Sequence, residues 1–136
     1  LDASRVKYGN HGYPNVFCRH GDITKVEIPP ADCIFFTHVL HHLASYESQR
    51  ELLLVCKNKL KEGGILIITE VGERPRWKHF LCYIADRILY PNDRLHFRTQ
   101  KEMGVLLSEI FNNVRVIPMD QGTLFSHVTF LCMKQT

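Results

Sequence analysis

The chain has 136 residues, 17 basic against 14 acidic side chains, a net charge of +3 and 45% hydrophobic residues. That composition reads as one globular domain over residues 1–136, long enough to bury a single core. The charge surplus is too small for the basic footprint of nucleic-acid binding. Apolar runs such as residues 33–36 and 65–68 fall far short of the about 20 residues that cross a bilayer. Residues 1–12 are polar and do not read as a secretory signal. Five dispersed cysteines (Cys18, Cys33, Cys56, Cys82 and Cys132) read as buried, reduced thiols in a cytoplasmic protein rather than as a disulfide framework or zinc site.

In chain order, residues 2–8 read as the start of a helix broken by Gly9, Gly12 and Pro14, and residues 15–19 as a short strand ended by His20-Gly21-Asp22. Pro29-Pro30 forbids both helix and ladder pairing in the loop that follows. Residues 32–36 are an unbroken apolar run, the pattern of a strand buried on both faces. The polar stretch Thr37-His38-Val39-Leu40-His41-His42 comes next. Residues 48–60 keep helical spacing at Leu52, Leu53, Val55, Cys56 and Leu60; Ser48 with Glu51 can form a capping box, and Ser45 can cap a longer version. Gly63-Gly64 is read as the helix end, turning the chain into a buried strand over residues 65–69 that closes on Glu70.

Beyond Pro75, the residues Trp77, Phe80, Leu81, Ile84, Ile88 and Leu89 make one face of a helix stopped by Pro91. That face, with Tyr83, reads as core cover ahead of an aromatic cage, and the helix of residues 74–90 is the best candidate for a lid. Residues 73–101 hold seven basic side chains against three acidic ones, either a solvated face or a surface for an anionic substrate. Thr99 with Glu102 is a capping box opening a helix to about Phe111. Strands over residues 114–118 and 124–133 are joined by a link too short for a parallel crossover, so they pair as an antiparallel hairpin. The expected fold is therefore α/β: a Rossmann-like, mostly parallel sheet with helices on both faces and a C-terminal antiparallel hairpin. Ligands of such sheets sit beyond the carboxyl ends of the strands, which directs Thr37, His38 and Glu70 toward a pocket.

In this order and spacing the motifs resemble those of class I S-adenosylmethionine-dependent methyltransferases of the small-molecule and lipid type. Leu1-Asp2-Ala3-Ser4 resembles the end of the family's second strand, Gly21-Asp22-Ile23 its adenine-contacting element, residues 32–43 its fourth-strand motif, and residues 60–70 the leucine, glycine-pair, strand and glutamate element after it. The family's first strand and glycine-rich turn would precede residue 1, so the expected sheet lacks that strand and the chain alone is expected to bind the cofactor weakly.

The resemblance implies S-adenosylmethionine as cofactor, with Asp2 and Ala3 at the ribose, Asp22 and Ile23 at adenine, and Thr37 and His38 at the pocket floor. Asp2 could equally cap a helix, and Asp22 could lead an Asx turn. His41 or His42 can serve as the base that deprotonates a hydroxyl acceptor, because imidazole titrates near neutral pH, or can fix the loop by hydrogen bonding. His42, Glu70 and His127 are the candidate substrate contacts; a cap for Glu70 and sheet packing for His127 are the plainer readings. No metal is expected, since no nearby Cys, Asp or Glu completes a ligand set with His38 and His42.

Methyl transfer needs no covalent nucleophile, and the chain carries no Ser/His/Asp or Cys/His signature. The Asn- or Asp-Pro-Pro-Tyr signature of amide and exocyclic-amine methylation is missing after Phe36, which favours oxygen or carbon of a small-molecule or lipid-like acceptor. A catalytically silent module that binds a partner protein is the alternative. A dehydrogenase would need a phosphate-binding glycine fingerprint, which the chain lacks.

Overall fold

A computed structural model describes residues 16, 21–23, 25–92, 94–119, 121–122 and 124–135. The expected strand over residues 15–19, the helix start at 2–8, Asp2, Ala3 and Cys18 lie outside the described residues. The elements run β1 (Ala31–Thr37), a 3-10 turn (Leu40–His42), α1 (Tyr46–Lys59), β2 (Leu60–Val71), α2 (Arg76–Leu89), α3 (Gln100–Ile110), β3 (Asn113–Met119) and β4 (His127–Met133). The sheet order is β1-β2-β4-β3. β1 and β2 are parallel, with Phe36 opposite Ile68; β4 is antiparallel to both β2 and β3. This is the mixed sheet with a C-terminal antiparallel hairpin that the element pattern implies.

Alternation along the strands decides where the core sits. Ile34 and Phe36 of β1, Leu66 and Ile68 of β2, and Val128, Phe130 and Cys132 of β4 turn to one face. There they meet Leu52, Leu53 and Cys56 of α1 and Met103, Leu106, Leu107 and Ile110 of α3. Each fully buried Leu or Ile contributes about 1.5–3 kcal/mol by leaving water. Phe35, between two core residues, is 72% exposed. β1 is therefore buried on one face among the described residues, where its unbroken apolar run predicts two. Cys56, Cys82 and Cys132 are buried free thiols, and burial pushes Cys56 and Cys132 up to about 12, which makes them inert.

Three local outcomes set the site. Ser45, not Ser48, caps α1: its hydroxyl accepts the Ser48 N–H at 3.1 Å. The helix ends at Lys59, before the glycine pair, and the glycines serve a different purpose. Pairing slips from Ala31 opposite Leu60 to Cys33 opposite Ile65, an irregularity that Gly63 accommodates at φ 71°. A Cβ on Gly64 would sit 2.9 Å from the Lys61 carbonyl oxygen, so the strands can only close there around glycine. The capping box of α3 forms as expected, with Thr99 and Glu102 bonding each other's backbone N–H.

The apolar stripe of α2 behaves differently. Trp77 and Phe80 are 56% and 60% exposed, Tyr83, Ile88 and Leu89 are exposed too, and Cys82 is the buried residue of the helix. The expectation that Trp77, Phe80 and Tyr83 cover the core is thus corrected. Spacing predicts an apolar face but not what it faces, and here it faces away from the sheet.

Candidate active site

Because β1 and β2 are parallel, their carboxyl ends share one rim; β4 runs the other way and brings its first residue to the same place, His127 opposite Val71. Just past β1 the chain turns through His38 at φ 53°, a left-handed conformation uncommon outside glycine. The His38 N–H still donates to the Thr69 carbonyl at 2.9 Å, so the ladder is held while the chain swings out into the 3-10 turn.

Glu70, at the end of β2, organises that turn. Its Oε1 accepts the Leu40 N–H at 2.9 Å and its Oε2 accepts a hydrogen bond from His41 Nδ1 at 2.5 Å. An ionised carboxylate only accepts, so Nδ1 carries a proton, and in the neutral imidazole Nε2 then carries the lone pair. His41 is 2% exposed, and its Nε2 has no hydrogen-bond partner. Asp86 of α2 stands beside that atom, Oδ2 at 3.4 Å. Phe97 stacks on the imidazole with ring centroids 4.6 Å apart and planes 18° from parallel, and the His42 ring lies 4.3 Å away on centroids.

A second layer holds the turn against residues 94–99. Gln49, fully buried on α1, donates to the carbonyls of Leu40 at 3.0 Å and His96 at 2.8 Å, and its own carbonyl accepts from Arg98 Nε at 2.7 Å. The His96 N–H donates to the His41 carbonyl at 2.8 Å. Burying an amide this deeply is tolerable because both ends are satisfied. Arg98 also lies over the Tyr46 ring.

The sequence candidates divide. The structure brings His38, His41, His42, Glu70 and His127 to one rim, with the His38 and His127 rings 4.9 Å apart. Burial holds both His38 and His127 below their ordinary value; Glu70 opposes this at His38, while Lys78 adds to it at His127. His127 Nδ1 is buried without a hydrogen-bond partner. Glu70 is buried and both its oxygens already hold protein donors. Thr37 is exposed at the strand end. Asp22 leads a turn, its carbonyl accepting the N–H groups of Lys25 and Val26 at 2.9 Å each. Ile23 lines an apolar cavity of about 490 Å³ with Val26, Ile28, Ile34 and Phe36.

Sequence reasoning passed over Gln49, Asp86, His96 and Phe97. Gln49 alone left a trace, since it occupies the stripe position three residues before Leu52, where an apolar residue belongs. The other three reach the site by tertiary packing from a helix and a loop far along the chain. Phe97 lies between a space of about 10 Å³ beside His41, room for one water, and a cleft of about 710 Å³ lined by Arg74, Arg76, His79, Phe80, Tyr83 and Arg98. A larger groove of about 970 Å³ runs between α3 and β3; it touches His127 but neither His41 nor Glu70.

A parallel pair whose rim carries an acid-held imidazole, edged by an antiparallel hairpin, is a Rossmann-like arrangement with its ligand end at that rim. A family model described as O-methyltransferase domain matches residues 3–109, and the chain belongs to that family. No curated protein matches the chain in sequence. Among solved structures, human N-acetylserotonin methyltransferase in complex with SAM is similar with a TM-score of 0.68 at 21% identity, over 91% of this chain and 35% of that one. A possible histamine N-methyltransferase of Thermotoga maritima gives 0.67 at 16%, over 88% and 65%. An O-methyltransferase family 2 protein of Planctomyces limnophilus, in complex with apigenin, gives 0.61 at 20%, over 84% and 33%. The chain thus spans about a third of the length of the human enzyme. Among the described residues no helix is long and apolar enough to cross a membrane.

Proposed function

We propose that this chain methylates a hydroxyl oxygen of a small-molecule or lipid-like acceptor, with S-adenosylmethionine as methyl donor and His41 as general base. The observation that carries the reading is the buried His41 imidazole, its Nδ1 held by Glu70 and its Nε2 buried without a hydrogen-bond partner. That is the arrangement of a base set in the correct tautomer by a carboxylate. The family's description as an O-methyltransferase domain supports oxygen over carbon.

When bound, the sulfonium supplies an electrophilic methyl and leaves as a neutral thioether. The apolar cavity beside Ile23 and Phe36 fits the flat adenine end of that donor. His41 Nε2 takes the acceptor O–H proton as the oxygen lone pair moves to the methyl carbon, and Glu70 keeps the ring oriented through the transfer. Phe97, stacked on His41, also lines a cleft with Phe80 and Tyr83 beside Arg74 and Arg76, a setting that suits an aromatic acceptor carrying an anionic group.

The test is methyl transfer from labelled S-adenosylmethionine to a panel of phenolic and aliphatic alcohols. His41→Ala is expected to lower kcat about 10²–10⁴-fold, the usual share of a general base, while far-ultraviolet circular dichroism stays native. An unchanged rate in folded His41→Ala contradicts the assignment.

A further inference from the structure

We propose that His41, His42 and Asp86 form a binding site for a divalent first-row transition ion, Zn²⁺ in the first instance. One ligand atom from each, a ring nitrogen from either histidine and a carboxylate oxygen from Asp86, lies within 4.8 Å of the other two. A modest closure brings them to the roughly 3.3 Å spacing that tetrahedral bonds of about 2.0–2.1 Å impose. A second observation points to a ligand independently. The His41 Nε2 lone pair is buried without a hydrogen-bond partner and faces the Asp86 carboxylate at 3.4 Å. Two electron-rich atoms that close repel one another unless a proton or a metal cation lies between them.

The surroundings are those of a metal centre. Glu70 accepts a hydrogen bond from Nδ1–H, the carboxylate–histidine arrangement that orients metal-ligating imidazoles and raises their basicity. Phe97 stacks on His41 and Tyr90 packs edge-on against His42 at 4.7 Å, which limits ring rotation. Two imidazoles and one carboxylate suit Zn²⁺, Fe²⁺ or Co²⁺ rather than the all-oxygen shells of Ca²⁺ and Mg²⁺. Three protein ligands leave a fourth position open. The ion would occupy the same lone pair that abstracts the acceptor proton, so binding inhibits methyl transfer. That consequence rests on His41 acting as the base; the binding itself does not.

The experiment is titration of the protein with CoCl₂, followed by visible d–d absorption and by equilibrium dialysis, then repeated with ZnCl₂ in competition. One ion per chain is expected, with affinity at least tenfold weaker in Asp86→Asn and His42→Gln, and about 10–100-fold weaker in Glu70→Gln. Absence of stoichiometric binding overturns the site, as does binding unchanged in Asp86→Asn or a thiolate-to-cobalt charge-transfer band, which would assign the ion to a cysteine. Should a variant fail to fold, the wild type still decides: its Tm must rise with ZnCl₂ and return with chelator, and a Tm indifferent to zinc overturns the site. Stoichiometric binding at these residues without inhibition of methyl transfer would leave the metal site standing and remove His41 from the role of base.

Discussion

His38 and His127 face each other across the rim, and burial keeps both below the ordinary imidazole value of 6.5. A histidine whose folded pKa is depressed binds fewer protons folded than unfolded as the pH drops below 6.5. Its stabilising effect is therefore complete above that pH and is lost as acidification proceeds toward the folded value. Chemical denaturation at stepwise pH should show stability falling between pH 7 and 5, with a shallower fall in the His38→Gln/His127→Gln double variant; equal slopes would contradict the burial argument. At Glu70 two donors, the Leu40 N–H and His41 Nδ1, converge on one buried carboxylate. Glu70→Gln offers one accepting oxygen to two donors, and losing one hydrogen bond to a charged group costs about 1.5–3 kcal/mol. Urea unfolding should read that loss, and a change near zero would mean the pair is dispensable.

Gln49 ties three elements together: the helix that carries it, the 3-10 turn through the Leu40 carbonyl, and residues 94–99 through His96 and Arg98. Gln49→Leu keeps the volume and leaves two carbonyls and a guanidinium without their partner, at about 1–3 kcal/mol for each buried group left unsatisfied. Hydrogen exchange should then quicken at the His96 amide, which bonds to the His41 carbonyl; unchanged protection there would show that the clamp is not what holds the loop. At this scale the sequence is readable where the signal is local. The Thr99 capping box, the antiparallel terminal strands and the strand ending at Glu70 all depend on residues within a few positions of one another. The glycine pair misleads because the same residues end helices and admit strand irregularities, and only the register shift between Ala31 and Cys33 opposite this stretch distinguishes the two. The α2 stripe misleads for a related reason: periodicity reports an apolar face, while its partner is settled by packing.

Across the molecule, the described residues form a four-stranded sheet that bears the His41 turn and the antiparallel edge, and the chain spans about a third of the length of the human relative. Its rim was legible in outline, since apolar strands followed by Thr37-His38 and Glu70 mark the ligand end of a parallel pair. The partners at the imidazole were not: Asp86 and Phe97 lie 45 and 56 positions beyond His41 in the chain, and no spacing rule connects them. What unites the fold and the chemistry is the tautomer that the end of β2 imposes on the turn after β1. Nitrogen-15 NMR of the histidine side chains at pH 8, with His41 assigned through His41→Gln, reads it directly. The account predicts a proton on Nδ1 and a bare Nε2 for this ring, reverting toward the solution mixture in Glu70→Gln. A proton found on Nε2 in the wild type would contradict it, because the nitrogen that must accept the acceptor's proton would already be occupied.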